Sequence, residues 1–335
     1  MIILLPVKVF TLQETMINGD FMKTVVFMGT PDFAVPALKA LADSHEYDVK
    51  LVISQPDKLQ GRKQILTPSP VKQLALQYGY EIYQPVNLKS DEAYEIINSL
   101  TPDFIVVSAY GNILPKRILD IPRYGCVNLH GSLLPKYRGA APIQWSVING
   151  DEITGVTTML MDVGLDTGDI LLTSEKVIAP DETAGEVFEA LANLCPELLL
   201  KTLKALEEGS ISPVKQNNDE ATYVSVLKKE MSVIDWTETA AVIHNLIRGM
   251  NPWPVARTFF NGKVLKIYSS VVCNKESSAS AGSVSVKGDE IFVTCGEGSV
   301  LKLSEIQLEG SKRMSAAEFL RGRAFPDGFS FCSEE

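Results

Sequence analysis

Thr24-Val25-Val26-Phe27-Met28-Gly29-Thr30-Pro31-Asp32-Phe33-Ala34 is the stretch that decides the fold. It begins as a short apolar run of strand length and stops at Gly29. A helical pattern follows at once, with Val35, Leu38, Leu41 and Ala42 on one face. Val49-Lys50-Leu51-Val52-Ile53 then reads as a second strand. Strand, tight turn, helix, strand is the unit of a parallel sheet. The turn sits where a dinucleotide fingerprint would stand. It lacks the second and third glycines, and Pro31 removes a backbone donor, so a nicotinamide site is not expected there. A tight strand-to-helix turn is the better reading, although the helix N-terminus behind it is suited to an anion.

Moving outward, residues 54–64 form a polar and basic loop, and residues 71–78 and 93–100 read as helices. Phe104-Ile105-Val106-Val107 and Cys126-Val127-Asn128-Leu129-His130 are further short strands. Residues 155–161 and 170–177 are β-rich and able to pair with each other, and residues 186–206 form a long amphipathic helix. The alternation predicts an α/β, Rossmann-like, mostly parallel sheet with helices on both faces. Residues 209–222 are rich in Gly, Ser, Pro, Asn and Asp and read as a linker. After a helix over 239–248, short strands at 256–260, 264–268, 282–286, 291–294 and 300–307 predict a small OB-like β-barrel. Ser277-Ser278-Ala279-Ser280-Ala281-Gly282 reads as a flexible hairpin loop. The expected division is a leader over 1–21, a catalytic domain over 22–208, a linker over 209–222 and a C-terminal domain over 223–335.

Composition bounds the function. The chain has 335 residues, 45% hydrophobic and 21% charged, which lies in the globular range. Five widely spaced cysteines without a Cys-x-x-Cys pair speak against a disulfide framework or a zinc site and fit a reducing cytoplasm. No apolar run reaches the roughly 18 residues of a membrane span. The start, Met1-Ile2-Ile3-Leu4-Leu5-Pro6, lacks a basic n-region, so a signal peptide is not expected. A net charge of −10 argues against a nucleic-acid partner, because phosphate contacts need basic surface. The acidity is uneven, however. Residues 211–335 carry 14 basic and 15 acidic side chains, and the remaining 17 and 26 lie before them. The last third is therefore free to present a local basic face.

The densest chemistry lies between Asn128 and Asp166. Residues i and i+2 of a strand share a face, so Asn128 and His130 project together at a strand's carboxyl end. An amide beside an imidazole can stabilise an oxyanion and move a proton. A lone histidine is more often structural than catalytic; the paired Asn128 raises His130 above its fellows His45 and His244. The loop Ser132-Leu133-Leu134-Pro135-Lys136-Tyr137-Arg138-Gly139-Ala140-Ala141-Pro142 has two prolines and a glycine that fix its shape, and Pro142 suits the first turn of a helix. In Asp162-Val163-Gly164-Leu165-Asp166-Thr167-Gly168-Asp169 the carboxylate spacing does not match a calcium loop. Asp166, between two glycines, is placed to reach His130, hold one tautomer and stabilise the protonated ring.

Together these pieces resemble the 10-formyltetrahydrofolate-dependent formyltransferases. Asn128, His130 and Asp166 look like that family's catalytic Asn, His and Asp. Ser132, Leu133, Leu134 and Pro135 look like its folate-contacting loop. Ala109-Tyr110-Gly111-Asn112-Ile113-Leu114-Pro115 looks like its pterin-pocket segment, with Tyr110, Gly111 and Ile113 as the expected contacts. The branch most resembled acts on methionyl initiator tRNA. Gln55-Pro56-Asp57-Lys58-Leu59-Gln60-Gly61-Arg62-Lys63 resembles a loop that grips the tRNA acceptor end, which makes Arg62, Lys58 and Lys63 the expected contacts. Ile234-Asp235-Trp236, Asn251-Pro252-Trp253-Pro254 and Phe319-Leu320-Arg321-Gly322 resemble the family's C-terminal barrel. The resemblance implies 10-formyltetrahydrofolate as co-substrate, initiator methionyl-tRNA as partner, no metal, no membrane and a monomer. The rivals are a formyltransferase acting on a sugar amine or glycinamide ribonucleotide, an NAD-dependent oxidoreductase, and a noncatalytic tRNA-binding module. The Gly61-Arg62-Lys63 loop, the broken glycine pattern and the intact Asn-His-Asp set speak against them in turn.

Overall fold

The computed structural model describes residues 22–61 and 64–331; the 1–21 leader lies outside them. Seven strands form the first sheet: β1 (Lys23–Gly29), β2 (Tyr47–Ile53), β3 (Ile82–Tyr83), β4 (Phe104–Ser108), β5 (Cys126–His130), β6 (Ile153–Leu160) and β7 (Ile170–Val177). Their order is β7-β6-β5-β4-β1-β2-β3. The five strands from β5 to β3 are parallel, while β6 and β7 run antiparallel at one edge. Every residue of β4 and β5 is buried, as expected for apolar runs covered on both faces.

Alternation along β1 assigns its residues to two cores. Val25 and Phe27 join a core with α1 (Val35–Asp43) and the long α5 (Ala184–Glu207). Val26 and Met28 face the other way, toward Ala93 and Ile97 of α3 (Asp91–Ser99). Polar caps start the helices where the sequence offers them. Ser69 accepts from the Lys72 N–H at the head of α2 (Pro70–Tyr78), and Thr183 with Glu186 makes a capping box on α5. A short α4 (Pro142–Ile148) begins on Pro142 as expected.

From β1 the chain moves outward through β2 to β3 and then returns to β4 on the other side of β1. The loops after β1 and β4 therefore diverge, and a crevice opens at the carboxyl ends of the strands. Gly29 lets the sheet and the following turn meet there: a Cβ on it would lie 2.8 Å from the Ala34 Cβ.

A separate core lies over residues 227–331. Helix α6 (Ala240–Gly249) packs on an antiparallel sheet of order β8-β9-β12-β11-β10, made of β8 (Arg257–Phe260), β9 (Lys263–Glu276), β10 (Val284–Lys287), β11 (Glu290–Thr294) and β12 (Ser299–Leu308). Two expectations are corrected. The strand read over 264–268 runs on to Glu276, with register shifts against β12 that let one strand bend past the core. The 277–282 loop closes no hairpin, because β9 and β10 are not neighbours and the chain crosses between them. The sequence reading also passed over α7 (Ala316–Gly322), although its Ser315–Glu318 capping box was there to be read. The two cores meet at α4, whose Ala141, Trp145 and Ile148 pack against the second core.

No helix among the described residues is long and apolar enough to cross a membrane. Cys126, Cys195 and Cys295 are buried free thiols, and burial pushes each pKa up to about 12. Cys273 is only half-buried. Among these four, iodoacetamide at neutral pH is expected to modify Cys273 first, with the others reacting on unfolding. Peptide mapping checks this, and native-state labelling of Cys126 or Cys195 at the unfolded rate would contradict the packing.

Candidate active site

A cavity of about 670 Å³ occupies the crevice. Pro31 and Phe33 reach it from the turn after β1, Ala109 to Ile113 from the loop after β4, and Asn128 and His130 from β5. Asn128 and His130 are buried and share one face of the strand, as their i, i+2 spacing requires. Asp166 enters from the connection between β6 and β7 with a left-handed backbone, φ 53°. The three residues singled out from the sequence thus line one cavity.

Their hydrogen bonds define what each can do. The His130 Nε2 lies 2.9 Å from the Tyr137 carbonyl oxygen, which can only accept, so Nε2 carries the hydrogen. In the neutral ring Nδ1 is then an acceptor, 3.7 Å from the Asp166 Oδ1. That separation is ion-pair range and longer than a hydrogen bond. The tautomer is therefore set by Tyr137, where the sequence reading gave that task to Asp166. The Asp166 Oδ2 accepts from the Gly139 N–H at 2.8 Å. Among the described residues the Asn128 amide has no protein partner, which leaves it available to a bound molecule.

The wall facing β5 comes from the first residues of the expected C-terminal domain, just past the stretch read as linker. Tyr223–Val224 pairs in parallel with Arg138–Gly139, and Val224, Ser225 and Val226 line the cavity. Upstream, Val214 bridges Ile170, and Gln216 bonds the backbone of the Asp166 loop. Residues 209–222 are thus a strap fastened to the sheet. Their turn-rich composition hid this, since one half-buried glutamine among exposed neighbours leaves no hydrophobic period to read. Tyr137, Arg138 and Gly139 were also missed as individual contributors. The backbone groups that Tyr137 and Gly139 use have no side-chain signature.

Tyr110, Gly111 and Ile113 line the cavity. Ser132, Leu133, Leu134 and Pro135 are not among its lining residues. Their polar groups are committed internally: the Ser132 hydroxyl donates to the Lys136 carbonyl at 2.7 Å, the Leu134 N–H donates to the Thr157 hydroxyl, and that hydroxyl donates to the Ser132 carbonyl. Leu133 packs over Gly155, where a Cβ would come within 2.5 Å of it. This loop braces the strand end that carries His130. Arg62 and Lys63 lie outside the described residues. Lys58 lies exposed on a small hairpin, Lys58–Gln60 against Ile65–Thr67. Leu59, Ile65 and Leu66 on it are exposed apolar side chains that the charge-based reading passed over. Lys72 fixes the hairpin's base through Asp57 at 2.7 Å, and this bond together with one from Gln84 holds the Asp57 carboxyl below its ordinary pKa. Among the described residues no group of three or more His, Cys, Asp or Glu side chains is arranged to hold a metal ion.

Residues 22–203 match the family described as Formyl transferase, and residues 226–324 match Formyl transferase, C-terminal domain. The methionyl-tRNA formyltransferase of Caldanaerobacter subterraneus subsp. tengcongensis is 51% identical over 305 residues, covering 91% of this chain and 98% of its own length. This chain belongs to the methionyl-tRNA formyltransferase family. The family's protein from Clostridium novyi is 49% identical over 302 residues, covering 90% of this chain and 97% of its own. Solved structures share the fold at greater sequence distance. An N-formyltransferase from Helicobacter canadensis, in complex with folinic acid and dTDP-3-aminofucose, superposes with TM-score 0.64 at 19% identity over 84% of this chain and 99% of that one. The sugar 3N-formyl transferase WlaRD, solved with dTDP and 5-N-formyl-THF, gives TM-score 0.63 at 19% identity, covering 87% of this chain and 100% of that one. The Rossmann-like sheet and the formyltransferase family expected from the sequence both hold; the nicotinamide alternative does not.

Gly139 carries a φ of 103°, and a Cβ there would lie 2.5 Å from the Val224 carbonyl oxygen. Gly139→Ala is expected to destabilise the protein by about 1–3 kcal/mol through overpacking and to lower turnover, because the same residue's N–H holds Asp166. Thermal melts with formylation assays check both; a variant with wild-type melting and turnover would show that the strap is not a tight wall.

Proposed function

We propose that the chain transfers the formyl group of 10-formyltetrahydrofolate to the amine of methionyl initiator tRNA, releasing tetrahydrofolate and formylmethionyl-tRNA. The observation that carries this is the convergence of Asn128, His130 and Asp166 on one cavity, in a chain that spans 98% and 97% of two relatives named for this reaction. The cavity suits a folate: it is of ligand size, and few polar groups converge on a mainly apolar lining. Tyr110, Gly111 and Ile113 form the folate side. The hairpin carrying Lys58, with Arg62 and Lys63 between its two strands in the sequence, meets the tRNA. The buried free thiols fit action in a reducing cytoplasm.

The chemistry follows from the hydrogen bonds. The amine nitrogen attacks the formyl carbon, and negative charge gathers on the formyl oxygen. Asn128 donates to that oxygen. His130, with its hydrogen on Nε2, accepts at Nδ1 the proton that the amine loses, and the resulting imidazolium faces Asp166. The carbonyl re-forms, the bond from the formyl carbon to folate N10 breaks, and Nδ1 returns its proton to the departing nitrogen. The carboxylate thus stabilises a charge that exists only while the proton is held, which is differential stabilisation of the kind that raises kcat.

Asn128→Ala is expected to lower kcat by about 10²- to 10³-fold, the usual cost of losing one oxyanion donor. His130→Ala and Asp166→Ala lose about 10²- to 10⁴-fold through the proton transfer. Each is measured as single-turnover formylation of charged initiator tRNA, with circular dichroism to verify folding. Near-normal turnover by His130→Ala would sink the assignment. Lys58→Ala and Arg62→Ala are expected to raise KM for tRNA more than KM for folate. Equal changes in both would remove the hairpin from the tRNA contact.

A further inference from the structure

Arg138 is buried, yet among the described residues no carboxylate pairs with it. A buried cation is costly unless its donors are all engaged. Its partners are neutral: Nε and Nη2 donate to the Gln216 Oε1 at 3.0 and 2.8 Å, Nη2 also to the Asn218 Oδ1 at 2.9 Å, and Nη1 to the Tyr223 hydroxyl at 2.8 Å. Gln216 in turn spends both hydrogens of its amide. Nε2 donates to the Asp166 carbonyl at 2.8 Å and to the Gly168 carbonyl at 2.7 Å. The amide therefore makes four bonds, all it can make.

These bonds close a ring. The Arg138 side chain holds Gln216, Gln216 holds the Asp166 backbone, the Asp166 carboxylate is held by the Gly139 N–H, and Gly139 follows Arg138 in the chain. Both ends of Asp166, its main chain and its carboxylate, are thus referred to one dipeptide. Asp166 needs such restraint. A left-handed backbone at a residue with a side chain costs about 1–2 kcal/mol and persists only where the surroundings impose it. The buried positive charge also polarises the Gln216 amide toward the two carbonyls, which strengthens bonds in a low-dielectric interior.

We propose that Gln216 is a positioning residue for formyl transfer: through its bridge from Arg138 to the Asp166 backbone it sets the distance between the Asp166 carboxylate and His130. This rests on the proposed role of Asp166. Gln216 does not line the cavity, so its loss acts on the chemical step. Its place in the segment joining the two cores means that the strap fastens the chain and aims a side chain at the site with the same four bonds.

The test pairs two variants with Asp166→Ala. Gln216→Glu keeps the shape and the bond to Arg138 but cannot donate to the two carbonyls; Gln216→Ala removes all four bonds and serves if the first variant misfolds. Either is expected to lower single-turnover kcat by roughly 10²-fold, the cost of about 1 Å of misplacement, with KM for folate and for tRNA unchanged. Added to Asp166→Ala, either is expected to cost nothing further, since coupled residues are non-additive. The inference is overturned by wild-type kcat in folded Gln216→Glu or Gln216→Ala, by a KM effect without a kcat effect, or by a double variant whose loss is the product of the single losses. Wild-type protein that cannot formylate charged initiator tRNA would instead overturn the proposed function itself.

Discussion

Parallel pairing is the constraint on which everything else rests. Parallel strands cannot be joined by a hairpin, so each pair needs a crossover, and the crossovers bury both faces of the sheet. All carboxyl ends then fall on one edge. Where the order turns back at β1 and β4, the loops part and leave a crevice. The turn at Gly29, the loop after Ser108 and the Asn128–His130 pair reach that crevice for this one topological reason. β5 is also where the parallel part of the sheet ends, since β6 runs antiparallel to it. The connection from β6 to β7 therefore leaves beside the amino end of β5, at Cys126 and Val127, and folds back to bring Asp166 within 3.7 Å of the His130 ring.

A sheet edge supplies only one side of a site. The opposite side is a thin layer, residues 138–144 backed by the Thr222–Val226 stretch, lying where the two cores approach each other at α4. Its backbone is not relaxed. Ala141 and Asp166 hold positive φ at the cavity, as does Ala109 in the loop after β4, and Tyr137 does so just ahead of the layer. Non-glycine residues in such conformations cluster where function needs a fixed geometry and the surroundings can impose it. Here the imposing groups are identifiable. The Gly139 N–H, the Gln216 amide and the Tyr223–Val224 pairing each fix one part of the layer.

The electrostatic arrangement is economical in charge. His130 and Asp166 are the ionisable pair at the centre, and the buried Arg138 is hydrogen-bonded to Asp166 only through the neutral Gln216 amide. A guanidinium bonded directly to Asp166 would compete with the imidazolium for the carboxylate. Passing the contact through Gln216 keeps the restraint and leaves the carboxylate for His130.

The sequence by itself determined the parts governed by short-range periodicity. The run at β1, the helix at Val35, the paired strands around residues 155 and 175, and the i, i+2 placement of Asn128 and His130 all follow from local spacing. The family resemblance added the formyl group and the tRNA, which spacing alone does not contain. What only the tertiary structure decided are contacts made by backbone atoms or across long separations. The Tyr137 carbonyl that sets the His130 tautomer has no side-chain signature, nor does the Gly139 N–H that holds Asp166. The bond from Gln216 to Asp166 joins residues 50 positions apart. Residues 209–222 look like a linker because turn-forming residues read the same whether they cross open solvent or lie pinned to a sheet. Ser132 to Pro135 look like ligand contacts, yet their polar groups are satisfied inside the protein. A residue's type states which bonds it can make; only the fold states which partner arrives to make them.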